Sequence, residues 1–226
     1  MLKNALTKSY MLYAGVVFVL LLGGGFYIFK FVITKKIPTS FVLAVPFSAQ
    51  APSNNWTRNE DCEETSLAMV NAFLNGNTKE NISALPTQTT IDNLKKWEEK
   101  NLGYNADTGA NTTTRMAQDA LGLKIKQIPN YTALDLKTEL MKGHPVLLPI
   151  NAKLLGITQY LEDGPTYHMI VIRGFRDDIF IVNDPGTNNG EGNEYAFSVL
   201  QKASADWDNA LQKMDSSRKI ALIVSK

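Results

Sequence analysis

The strongest constraint in this sequence is a run of 21 residues without a charge, from Ser9 to Phe29, which is dense in Val, Leu, Phe and Tyr. The hydrocarbon core of a bilayer is about 30 Å thick, so an apolar helix of roughly 20 residues can cross it. Tyr10, Tyr13 and Tyr27 lie towards the ends of the run, where aromatic side chains meet the membrane interface. The sequence therefore predicts one transmembrane helix over this run.

A cleaved signal peptide is the alternative interpretation of this segment. Lys3 and Lys8 would form its basic region, but the apolar run is longer than the usual stretch of about 7–15 residues, and no small-x-small cleavage site follows it. An uncleaved anchor is therefore favoured, with residues 1–36 as tail and anchor and residues 37–226 as the domain. Lysines flank the run on both sides in nearly equal number, so the positive-inside rule gives no clear orientation. The short N-terminal tail favours the cytoplasm, which places the domain outside.

Charge and cysteine usage exclude several classes of protein. Residues 1–36 contain five Lys and no acidic residue, which leaves 18 basic and 22 acidic residues, a net charge of −4, in the remainder. The whole chain has a net charge of +1, which gives no electrostatic footprint for nucleic acid. One Cys excludes an internal disulfide, and two His with one Cys cannot complete a usual zinc site. P-loop, dinucleotide-binding and HExxH motifs are missing as well, so no metal or organic cofactor is implied.

The hydrophobic pattern of residues 37–226 changes from helical to strand-like along the chain. The expected helices are 61–74, 89–100, 112–121, 132–142 and 196–213, and the expected strands are 41–45, 145–150, 168–172, 179–182 and 220–224. Residues 176–178 separate two of these strands and predict a hairpin connection. Helices come mainly first and strands later, which favours an α+β fold over an alternating parallel sheet.

Cys62, the sole cysteine, stands in the first turn of an expected helix, directly after a polar loop. The unpaired N–H groups and positive end of a helix stabilise a thiolate, which is the form that attacks carbonyl groups. Glu63 and Glu64 act against this, because nearby carboxylates raise the pKa of a thiol. Acids are also common in the first turn of a helix. From these residues alone, Cys62 is either a nucleophile or a small buried hydrophobic residue.

A catalytic thiolate needs an imidazole within hydrogen-bond reach and a third group that orients the imidazole. His144 lies between a Gly that ends a helix and a Pro that opens a strand, a pattern typical of a turn. His168 opens an apolar strand, and the next strand runs into Asn183 and Asp184. Antiparallel pairing would bring one of these two residues to face the His168 imidazole. A buried core histidine and an ordinary Asp-Pro-Gly turn would explain the same residues.

Five features follow one another along the body of the chain. They are Val45-Pro46-Phe47-x-x-Gln50 leading to Trp56, Cys62-Glu63-Glu64-Thr65-Ser66-Leu67-Ala68-Met69, Gly143-His144-Pro145-Val146, His168 at the head of a strand, and Asn183-Asp184-Pro185-Gly186. In this order they resemble the C39-like peptidase domain family, a branch of the papain-like cysteine peptidase fold. The resemblance extends over residues 43–224.

The resemblance implies N-terminal helices packed on a C-terminal antiparallel sheet. It also implies Cys62 as nucleophile, His168 as general base and Asp184 as the group that orients the base. Gln50 would donate to the oxyanion together with the backbone N–H of Cys62. Removal of one such donor typically costs about 10²–10³ in rate.

Two departures from the family limit what the resemblance implies. Bacteriocin-processing members carry this domain ahead of a transporter membrane region and an ATPase, and the present sequence has neither. Those exporters tend to have a Gly-Pro type pair after the cysteine, where this chain has Glu63 and Glu64. The first departure means that processing of leader peptides coupled to export is not implied. Versions with Glu at these positions resemble the stand-alone, often anchored branch.

The expected function is that of a membrane-anchored thiol hydrolase, cleaving peptide or related amide bonds in a peptide or protein substrate. The alternatives are a non-catalytic peptide-binding module that uses the same cleft, and an acyl transferase or amidase on the same fold.

Overall fold

The computed structural model describes residues 11–22, 25–54, 60–78, 82–156 and 165–226, with the backbone alone over residues 11–35. The chain divides into two compact units, residues 1–39 and residues 40–226. Trp56, one of the residues that carry the family resemblance, lies outside the described ranges.

The described backbone of the first unit forms strands where the sequence predicts a helix. β1 (Met11–Leu22) pairs antiparallel with β2 (Gly25–Lys36). The helix expected over residues 9–29 is therefore wrong for the described part of that range, while residues 9, 10, 23 and 24 lie outside it. β1 contains three Val, and β2 contains three Phe and two Ile. β-branched and aromatic residues of this kind favour extended backbone. Across the described residues, no helix combines the length and apolar composition needed to cross a bilayer.

The second unit mixes helices and strands along its described length. In chain order they are β3 (Ser40–Val42), α1 (Cys62–Leu74), α2 (Ala84–Leu102), α3 (Ala110–Leu121), β4 (Lys124–Pro129), α4 (Ala133–Leu140), β5 (Val146–Ile150), β6 (His168–Arg176), β7 (Ile179–Asn183), β8 (Asn193–Ala196), α5 (Phe197–Ala203), β9 (Asp206–Asp208), β10 (Lys213–Asp215) and β11 (Ile220–Ser225). A short 3-10 helix over Ala152–Leu155 follows β5. The α+β prediction is confirmed. β4 and β8 were not expected, because both are partly exposed strands with many polar residues.

A single antiparallel sheet forms the centre of this unit, with the order β4–β11–β5–β6–β7–β8. β6 lies inside it. Residues 168–172 of β6 pair with β5, residues 174–176 pair with β3, and β7 pairs along the opposite side. The first five residues of β6 are all buried, which accounts for the unbroken apolar run after His168. His168 therefore projects from a strand that is held on both sides.

α1 packs on α2 and on β6 and is buried around its whole first half. Leu67, Met69 and Val70 have no exposed surface, as the helical spacing predicts. The helix ends at Leu74, as predicted. The two acidic residues of its first turn, Glu63 and Glu64, lie in the interior, whereas acidic residues at the start of a helix are usually exposed. This burial brings carboxyl groups next to Cys62.

Tertiary contacts decide the structure of the segment that follows α5. The helix expected over residues 196–213 is wrong beyond Ala203, where β9 and β10 pair with each other. The Asp206 carboxylate accepts a hydrogen bond from the backbone N–H of Ala110 at 2.8 Å, so this segment satisfies the open N-terminus of α3. Trp207 packs on Tyr167, with ring centres 5.4 Å apart. These contacts outweigh the helical spacing of the apolar residues.

Candidate active site

Cys62 is the first residue of α1 and has 3% of its surface exposed. Its S–H donates to Glu63 Oε2, with 2.9 Å between sulfur and oxygen. Burial raises the pKa of the thiol well above its ordinary value, and the carboxyl groups of Glu63, Asp107 and Glu64 raise it further. The positive end of the helix acts in the opposite direction. Burial and the carboxyl groups outweigh it, so the resting thiol is neutral.

Glu63 is held through both oxygens of its carboxyl group. Oε2 accepts the hydrogen bond from the Cys62 thiol, and Oε1 accepts one at 2.6 Å from the backbone N–H of Thr108, in the segment before α3. The residue is fully buried, and burial, together with the charges of Glu64 and Asp107, raises the pKa of its carboxyl group. Sequence reasoning missed this contact, because Glu63 and Thr108 are 45 positions apart and no local pattern links them.

His168 begins β6, and Asp184 comes directly after β7. The distance from His168 Nε2 to Asp184 Oδ1 is 2.8 Å, and the two residues are 1% and 0% exposed. Asp184 is fixed in turn, because Oδ1 accepts the Gly186 N–H at 2.9 Å and the Asp184 N–H donates to Gly190 O at 2.8 Å. An imidazole bound in this way through Nε2 would exchange a proton with a thiol at Nδ1.

Asn183, the alternative partner of the imidazole, has a structural contact instead. Its side-chain amide donates to Val45 O at 3.1 Å and ties the end of β7 to the segment that leads to Gln50. Gln50 is buried, and its backbone N–H donates to Pro185 O at 2.8 Å. These two bonds hold Gln50 beside the turn that carries Asp184.

α1 and β6 are joined one helical turn beyond Cys62. Ser66 lies on the same face of the helix as Cys62, and its hydroxyl donates to the carbonyl of Met169, the residue after His168. Asp107 interacts with both sides of this junction. Burial raises the pKa of Asp107 to about 7, although the charge of His168 acts to lower it. Asp107 in turn raises the pKa of the Cys62 thiol. Cys62 and His168 therefore lie in one neighbourhood, beside an acidic group.

His144 lies in the turn after α4, and its imidazole contacts Glu139. Its Nδ1 is 3.0 Å from Glu139 Oε2, while the Nζ atoms of Lys126 and Lys142 are each 3.1 Å from Glu139 Oε1. Burial acts to raise the pKa of Glu139, but hydrogen bonds from His144 and the two lysines lower it to about 2. This arrangement agrees with the interpretation of His144 as a turn residue.

A second set of buried carboxyl groups lies where α1 packs on α2. Glu64 is 1% exposed and Glu98 is 0% exposed. Burial raises the pKa of Glu64 to about 7, and burial with the charge of Glu64 raises the pKa of Glu98 to about 11, so the pair retains a proton at neutral pH. Asp61, also buried, forms an ion pair with Lys95 at 2.5 Å. Within the described ranges, no group of three His, Cys, Asp or Glu side chains could hold a metal ion.

Comparison with known proteins assigns the chain to a family. The sequence model of the Peptidase_C39 like family matches residues 42–214. The structure is similar to a crystal structure described as a C39-like peptidase from Bacillus anthracis, with a TM-score of 0.52 and 16% sequence identity, over 83% of this chain and 98% of that one. No curated protein matches the sequence. Because the family model matches well over half of its length, the chain belongs to the Peptidase_C39 like family.

Proposed function

We propose that the chain is a thiol hydrolase that cleaves peptide or related amide bonds, with Cys62 as nucleophile, His168 as general base and Asp184 as the residue that orients the base. The observation that carries this proposal is the 2.8 Å hydrogen bond between His168 and Asp184, two fully buried residues. A free buried histidine would be costly, and a buried carboxylate beside it fixes the ring and stabilises its protonated form. Membership of a peptidase-like family supports the same chemistry.

The first half of the reaction forms an acyl-enzyme. The proton of the Cys62 thiol passes to His168 Nδ1, and Asp184 stabilises the imidazolium through Nε2–H. The sulfur bonds to the substrate carbonyl carbon, and the carbonyl oxygen takes the electron pair of the C=O bond as an oxyanion. The Gln50 side-chain amide and the Cys62 backbone N–H donate to that oxygen. The C–N bond then breaks, and the leaving amine takes the proton from Nδ1.

The second half of the reaction restores the thiol. Water gives a proton to His168 Nδ1 and attacks the thioester carbon, and the sulfur leaves with that proton as the thiol. An added amine that replaces water would give transfer instead of hydrolysis. Product analysis with and without the amine separates a hydrolase from an acyl transferase.

The test uses the full chain and a casein labelled densely enough with fluorescein to be self-quenched. We expect the wild-type protein to release fluorescence, and we expect Cys62→Ala and His168→Ala to lower the rate by a factor of about 10³ or more. His144→Ala is the matched control, because this histidine pairs with Glu139 away from Cys62, and it should retain the wild-type rate. Equal rates in wild type and Cys62→Ala would contradict the proposal.

One observation favours a second candidate, a peptide-binding module that does not cut. The raised pKa of the Cys62 thiol leaves little thiolate at neutral pH, and the thiol form is a poor nucleophile. In that case fluorescein-labelled peptides that bind the wild-type protein would bind Cys62→Ala equally well, with no turnover in either.

We also propose that residues 1–36 attach the protein to a membrane. The support comes from composition, because residues 9–29 carry no charge and lysines flank them on both sides.

A further inference from the structure

The immediate partner of the Cys62 thiol in this structure is Glu63. The thiol donates to Glu63 Oε2 over 2.9 Å, and the other carboxyl oxygen is fixed by the Thr108 N–H at 2.6 Å. Glu63 has no exposed surface, so water does not compete for either contact. The carboxyl group therefore stands in a defined position between the first turn of α1 and the segment before α3.

We propose that Glu63 is a positioning residue that holds the thiol proton of Cys62 in the resting protein, away from His168. The inference rests on the proposed function. Thiolate formation then requires the hydrogen bond between the thiol and Glu63 to break, so that the thiol can pass its proton to the imidazole. In the resting state the neutral thiol is protected from alkylation and from oxidation, both of which proceed through the thiolate.

The other charged and titratable groups around the thiol come from three elements. Glu64 lies beside it on α1 and Asp107 in the segment before α3. Tyr167 lies directly before β6, and His168 is the first residue of that strand. Glu64 and Asp107 act on the thiol through their charges, without a hydrogen bond to sulfur. Among these carboxyl groups, Glu63 alone accepts the hydrogen bond from the S–H in addition to its electrostatic effect on the thiol.

Glu63→Gln separates a proton-holding role from a structural one. The amide oxygen can still accept the Thr108 N–H, so the link between α1 and the segment before α3 is retained. The amide NH₂, however, faces the sulfur as a donor and stabilises the thiolate. A residue that only joined the two segments would leave the pKa of the thiol unchanged after this substitution.

The experiment measures the pH dependence of iodoacetamide alkylation of the full chain, which has one thiol. We expect Glu63→Gln to lower the apparent pKa of alkylation by about one unit or more, which corresponds to about tenfold more thiolate below that pKa. Glu64→Gln is the matched control, because it removes the neighbouring buried carboxyl group without touching the sulfur, and its shift should be less than half as large. An unchanged or raised pKa in Glu63→Gln, or equal shifts in both variants, would overturn the proposal.

A second measurement keeps the inference testable if Glu63→Gln does not fold. When Glu63 holds the proton, His168→Ala leaves the apparent pKa of the thiol within about 0.3 units of wild type. An ion pair between Cys62 and His168 in the resting protein would instead be lost in that variant, and the pKa would rise by a unit or more, which refutes the proposal. Alkylation needs no substrate, so this result is independent of whether Cys62→Ala abolishes casein hydrolysis.

Discussion

The turn that carries Asp184 can be perturbed through Gly190, which packs directly on it. Gly190 O accepts the Asp184 N–H at 2.8 Å. A Cβ added at Gly190 would overlap the carbonyl oxygen of Asp184 and lie 2.8 Å from its carbonyl carbon, where non-bonded carbons prefer about 3.5–4.0 Å. Gly190→Ala must therefore displace the backbone of Asp184 by about 1 Å.

A displacement of this size acts on both activity and stability. The 2.8 Å bond between His168 and Asp184 would lengthen beyond hydrogen-bond range, and a misplacement of about 1 Å costs about 100-fold in rate. Overpacking of this kind destabilises by about 1–3 kcal/mol. For a unit of this length, each kcal/mol lowers the melting temperature by about 2–4 °C.

The assay is casein hydrolysis by the full chain, measured well below the melting temperature, together with thermal unfolding. Asn189→Ala is the matched control, because this exposed residue lies in the same turn and should leave both quantities unchanged. If Gly190→Ala lowers the melting temperature but retains the wild-type rate, then hydrolysis does not depend on the position of Asp184 relative to His168, and the reasoning is refuted.

Three further predictions concern buried charges and the N-terminus. The pKa of Glu98 is raised to about 11 in the folded state, so the wild-type melting temperature should fall as pH rises above about 4.3. Glu98→Gln should flatten that fall between pH 5 and pH 9, whereas Glu99→Gln, at an exposed position, should not. A wild-type protein with the same melting temperature at pH 5 and pH 9 would contradict this prediction. The pKa of Glu139 is lowered to about 2, so its contribution is complete above about pH 4.3 and is lost as pH falls through about 2. Glu139→Gln should therefore melt below wild type at pH 7, with the gap closing towards pH 2, and a gap independent of pH would count against its ion pairs. Val19→Lys places an unpaired charge at the centre of the apolar run, which is costly to bury in an apolar environment. The substitution should therefore release the protein into the supernatant on carbonate extraction, whereas Asn4→Lys should not. Equal pelleting of both variants would argue against membrane insertion.

Elements whose signals are local were predictable from the sequence. Residues 61–74 predict a helix through apolar spacing and an Asn-Gly stop, and 168–172 predict a strand through an unbroken apolar run. The segment 196–213 has helical spacing too, but its second half forms paired strands because Asp206 completes the N-terminus of α3. Such a contact joins residues about 96 positions apart, so no window of sequence contains both partners.

By itself the sequence determined the order of Cys62, His168 and Asp184, and with it the family resemblance and the α+β class, because motif spacing and apolar periodicity are properties of the chain. Only the tertiary structure decided that Asp184, not Asn183, meets the imidazole. It alone placed Glu63 on the thiol and buried it there. The physical reason is that the pKa of a side chain depends on its burial and on the charges around it, and both arise when distant segments pack together.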